Sequence, residues 1–145
     1  MKKIFFILIS LISLSACVMP ASPNNDESKY QFANLEEVDS FLYRQVRGWQ
    51  AIDARSLIIN ISPSESYLLI LERNLRAIKY TEGIEISSVN SRVRANLDLV
   101  HILDQDVKVR PSRIETIYKL PSRAARQNAR AIILGKEVDA SGEII

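Results

Sequence analysis

The chain has 145 residues with 47% hydrophobic and 25% charged content, one cysteine, one histidine and a formal net charge of +2. That is enough for one domain with one core, and a lone cysteine excludes an internal disulfide. The two surplus charges are Lys2 and Lys3, so the remainder is charge-balanced and the basic isoelectric point is no signature of nucleic-acid binding.

Lys2 and Lys3 precede an apolar run from Ile4 to Leu14, and small residues Ser15 and Ala16 then precede Cys17. Positive, apolar, small is the layout of a secretory signal. The run is shorter than the roughly 20 residues needed to span a bilayer. Leu14-Ser15-Ala16-Cys17 resembles the lipobox of bacterial lipoproteins. The resemblance implies cleavage between Ala16 and Cys17, with lipidation of Cys17. A lipid would make the protein anchored rather than soluble.

Residues 17–33 read as the lipidated cysteine and a tether, with Pro20, Pro23 and a run of small polar residues. The domain is expected over 34–135, followed by a loose tail over 136–145. Asn34 and Glu37 make a capping pair, and Leu35, Val38, Phe41 and Leu42 follow helical spacing, so a helix is predicted at about 35–44.

Strands follow. Residues 47–52 lead into a turn at Asp53-Ala54-Arg55, then 56–61, a break at Ser62-Pro63-Ser64, and 66–71. Both faces of these runs are apolar, which suits strands covered on both sides or curled around a core. Further strands are predicted at about 75–80, 84–89, 98–103, 106–109 and 112–118, with a turn at Thr81-Glu82-Gly83.

A second helix is predicted over 123–134, capped by Ser122 and stopped at Gly135. Ala125, Ala129, Ile132 and Ile133 share one side and are expected to face the sheet. Arg123, Arg126 and Arg130 share another and are expected to face out. The fold class is therefore α+β, mainly β: an antiparallel meander curled into a sandwich or partly closed barrel, with one N-terminal and one C-terminal helix.

Three blocks, Trp49 to Ile59, Tyr67 to Leu71 and Arg113 to Leu120, together resemble a family of small Gram-negative lipoproteins known as domain of unknown function 6491. The similarity covers about residues 44–120 and is most distinctive in the Trp49-x-x-Ile52-Asp53-x-Arg55-Ser56 block. It implies an envelope protein with a β-rich domain and supplies no activity. Many members carry cysteines at the places held here by Leu75 and Ser112, so a bridge there, if relatives form one, is lost in this chain.

The chemistry-bearing residues are sparse. One histidine and one cysteine do not make a zinc site, and Asp98, Asp104 and Asp106 read as strand ends and a turn. His101 lies in a strand pattern with no G-x-S-x-G elbow elsewhere, and the glycines are isolated, so no cofactor is expected. Asp53 and Arg55, near Trp49, are a candidate structural turn motif, with a polar contact for a ligand as the sharper reading. Trp49, Tyr67, Tyr80 and Tyr118 read as core, or as the lining of a ligand groove.

Between Gln105 and Lys136 eight basic residues face two acidic ones. Arg123, Arg126 and Arg130 are the candidate contacts for an envelope protein or anionic lipid, against the plainer reading of a solvated helix face. Two classes stand: a non-catalytic binding or accessory domain, lipid-anchored in the envelope, or an enzyme on an envelope substrate with a carboxylate or Tyr-based site. The missing nucleophile–base constellation favours the first. Val18 rather than Asp after Cys17 points to the outer membrane, facing the periplasm.

Overall fold

The computed structural model describes residues 25–44, 46–104 and 109–136. Cys17, the expected signal, most of the tether, Asp106 and the tail beyond Lys136 lie outside them.

The described body is mainly β. After a short helical turn, α1 (Asn25–Ser28), come β1 (Glu36–Glu37), β2 (Ser40–Leu42), β3 (Gly48–Ala51), β4 (Ser56–Ser62), β5 (Glu65–Leu71), β6 (Ile84–Ile86), β7 (Arg92–Arg94), β8 (Leu99–Ile102), β9 (Ser112–Leu120) and helix α2 (Arg123–Ile133). A curled, half-barrel-like antiparallel sheet runs in the order β3-β4-β5-β9-β8-β6, with β1 beside the far end of β9. β2 and β7 form a separate ribbon. Only β3, β4 and β5 make a meander; the last strand inserts next to β5, so the expected simple meander is corrected to a sheet whose centre is closed by its C-terminal strand.

The alternation of β4 and β5 serves two cores, one on each face. Leu57, Ile59, Tyr67, Leu69 and Leu71 join Ile114 and Ile117 on one face, where Phe41 and Val93 of the β2–β7 ribbon and Leu75 and Ile78 cover them. Ile58, Leu68 and Ile70 join Tyr118 and Leu120 on the other, under Ala129 and Ile133 of α2. Ile114 and Ile117 reach the same core because β9 slips register opposite Ile70/Leu71, which leaves Glu115 as an extra residue.

Two predicted elements are overturned. Residues 35–44 form β1 and β2, not a helix. Glu36 and Glu37 pair with Lys119 and Tyr118, the Val38 amide donates to the Ile117 carbonyl, and Phe41 stacks on Tyr67 at 4.4 Å. Pairing with the open edge of β9 outweighs a weak helical propensity. The predicted strand at 75–80 is a 3₁₀ turn (Arg76–Lys79) that buries Ile78. A strand at β7 was not expected; it enters through a two-residue turn in which Asn90 and Ser91 both have positive φ. The packed body also extends into the expected tether, since Tyr30 and Phe32 are buried on the α2 face.

Helix α2 forms as its cap and stop signals require. The Ser122 side chain accepts from the Ala125 amide, and Gly135 takes a φ of +69° beyond the helix. Its buried residues are Ala129, Ala131 and Ile133, while Ala125 and Ile132 are only partly covered. Ile133→Ala is therefore expected to cost about 2–4 kcal/mol and Ile132→Ala less. Urea denaturation of the two variants checks that order.

Candidate functional site

The Asp53–Arg55 turn is a fully bonded latch. Asp53 Oδ1 accepts from the Arg55 amide at 2.9 Å and the buried Ser56 hydroxyl at 2.7 Å, which closes the turn between β3 and β4. Its Oδ2 accepts from the Tyr30 hydroxyl at 2.7 Å, with Lys29 Nζ at 3.5 Å. Burial pushes the Asp53 carboxyl up, but the bonds from Ser56, Tyr30 and the Arg55 amide, with Lys29 nearby, outweigh it and hold it below the ordinary carboxylate range. The Tyr30 hydroxyl is pushed up to about 12, first by burial and then by Asp53.

Arg55 fans outward from the same turn. Its Nε donates to the Leu71 carbonyl at 2.6 Å, Nη1 to Glu27 at 2.5 Å and Nη2 to Glu115 at 2.6 Å, and its guanidinium lies over the Tyr30 ring. Glu115 is the bulged residue of β9, so the register slip aims its carboxylate here. The latch thus joins α1, the β3–β4 turn, β5 and β9. Its polar groups are directed at each other, which makes it a structural device.

Among the described residues, Trp49, Tyr67, Tyr80, Tyr118, His101 and Asp98 do not converge on one site. Tyr67 and Tyr118 lie on opposite faces of the sheet, Trp49 packs beside the Tyr67 core, and Tyr80 is 85% exposed, so the four line no common groove. His101 sits half-buried on β8 opposite Glu85. Asp98 is buried in the β7–β8 turn, accepting from the Ser87 hydroxyl and the Arg94 amide. Ser112 donates to the Arg73 carbonyl and accepts from its amide, while Leu75 is buried in the first core.

Arg123, Arg126 and Arg130 do converge. They line one wall of a cleft of about 200 Å3, together with Gln127; the opposite wall is Gln50 of β3 and Ile58 and Asn60 of β4. The expectation that all three arginines simply point outward is corrected: Arg123 is exposed, but Arg126 and Arg130 are half-buried against the sheet. Arg126 Nη1 donates to the Ser66 hydroxyl at 3.1 Å and to the Pro63 carbonyl at 3.4 Å. Ser66 in turn donates to Asn60 Oδ1 at 3.0 Å, which leaves the Asn60 amide hydrogens for other acceptors.

Among the described residues, every side chain lining the cleft except Ile58 is a hydrogen-bond donor, three carry a formal positive charge and none is a carboxylate. Among the described residues no carboxylate forms an ion pair with these arginines. No acidic residue occupies the first turn of α2, where Arg123 stands against the helix dipole at a cost of about 0.3–1 kcal/mol. Sequence spacing placed the three arginines on one side of the helix, but could not supply Gln50 and Asn60, which arrive from strands distant in the chain.

A family model described as "Family of unknown function (DUF6491)" matches residues 1–135. No curated protein and no solved structure matches the chain.

Proposed function

We propose, from the premise that this chain belongs to the DUF6491 family of unknown function, that it is a lipid-anchored envelope domain that binds rather than catalyses. The observation that carries the anchor is the order Lys2-Lys3, an apolar run, then Leu14-Ser15-Ala16-Cys17. The residues matched by the family model, 1–135, include this segment. The binding surface is the arginine cleft: guanidinium and amide groups hold an acceptor in place, and neither serves as nucleophile or base near neutral pH. Val18 after the cysteine favours the outer membrane, with the domain in the periplasm.

The latch bounds the reach of the proposed anchor. Arg55 holds Glu27, only ten residues beyond Cys17, so the connecting chain spans at most about 35 Å.

Palmitate labelling of cells expressing the native chain and Cys17→Ala, followed by density-gradient separation of the membranes, tests the reading. The native protein is expected to carry label and to sediment with the outer membrane, and the variant to carry none. Label persisting in Cys17→Ala refutes lipidation at that residue; sedimentation with inner-membrane markers refutes the sorting.

A further inference from the structure

We propose that the cleft between α2 and the β3–β4 edge is a binding site for a phosphate monoester group. The charge argument comes first. Arg123, Arg126, Arg130, Gln50, Asn60 and Gln127 line one cleft, and a phosphate monoester offers matching charge and three acceptor oxygens. Arginine's planar fork pairs with two oxygens at once; a carboxylate offers one such pair, whereas a phosphate monoester offers three oxygens and more negative charge for several arginines to share.

The second argument is positioning. Arg126 is fixed by Ser66 and Pro63 through Nη1 alone, so its orientation is set while its other nitrogens stay available to a ligand. The Arg126–Ser66–Asn60 relay orients a donor from each wall. A solvated helix face has no need of such a relay.

The third is placement relative to the anchor, and here the inference rests on the lipoprotein reading. Tyr30 and Phe32 pack with Ala129 and Ile133 in one core, so the N-terminal segment and α2 cover the same face of the sheet. With Cys17 lipidated, the chain between it and Glu27 is short enough to keep that face within reach of a surface rich in phosphate headgroups.

The test uses the full-length protein in a neutral detergent, titrated calorimetrically with methyl phosphate and, separately, with phosphatidic acid doped into the micelles. Two variants accompany it. Gln127→Glu sets a carboxylate in the cleft at an exposed position; Arg123→Gln with Arg130→Gln removes charge but keeps the Arg126 bonds to Ser66 and Pro63. Saturable, salt-sensitive binding is expected, at least about tenfold weaker in both variants, because each loses or opposes charge-assisted bonds. Acetate is expected not to compete.

Equal binding of both ligands identifies the phosphate group itself as what is recognised; binding of phosphatidic acid alone identifies a headgroup held at a surface. No saturable binding of either ligand overturns the proposal, as does binding unchanged in both variants when their melting temperatures match the native one. Palmitate labelling reports on the anchor independently, so loss of label with intact phosphate binding removes the anchor and leaves the cleft.

Discussion

Leu69→Ala is expected to remove about 2–5 kcal/mol of stability. Leu69 is fully buried in the middle of β5, paired with Leu57 of β4 on one side and Ile117 of β9 on the other. All three belong to the same buried core, so the void left by truncation is lined by packed side chains. Domains of this size have only about 5–15 kcal/mol in total, so the loss is a large share of it. Chemical denaturation reads the effect as a lower midpoint at unchanged slope. Leu103→Ala, at a position 57% exposed, is the control and is expected to change stability by less than about 0.5 kcal/mol. A Leu103 variant that falls as far as the Leu69 variant would contradict this assignment of the core.

The second large effect is at the latch. Asp53→Ala strips acceptors from the Tyr30 and Ser56 hydroxyls and from the Arg55 amide at once. Ser56 is fully buried and Tyr30 nearly so, so both are left with an unmet donor. A cost of about 2–4 kcal/mol is expected, since hydrogen bonds to a charged group are the stronger ones and these share one carboxylate. Acidity adds a second readout. The folded state lowers the Asp53 pKa, so its contribution is present above the unfolded carboxylate value and fades as pH falls through the lower folded value. The native protein is expected to lose stability across that acidic window more steeply than Asp53→Ala. Parallel acid-denaturation curves would show that Asp53 is not the group responsible.

What the sequence disclosed followed from local rules. Leu57, Ile59, Leu68 and Ile70 alternate, and their strands form where the alternation puts them. Ser122 and Gly135 bracket α2 because a cap and a left-handed stop act over a few residues. Leu35, Val38, Phe41 and Leu42 misled because helical spacing and strand pairing share several apolar positions. The decision came from Tyr67 and Ile117, remote in the chain and invisible to a short window. Arg92-Val93-Arg94 carries one apolar residue and gave no periodic signal, though the Asn90-Ser91 turn before it was a usable clue. In the cleft, the three arginines were legible and the opposite wall was not, because it depends on how β3 and β4 meet α2.

The insertion of β9 at the centre of the sheet has a consequence for when the protein can fold. Leu71 must wait for Ile114 and Ser66 for Leu120, and the second core lacks its roof until Ala129 and Ile133 follow. The β3–β5 meander alone exposes both apolar faces, so it is a poor candidate for early stable structure. A chain whose decisive contacts close last stays loose while its C-terminal end is still being made or moved. Under the export reading proposed above, that ordering would postpone folding to the far side of the membrane, where the last strand arrives and both cores shut together.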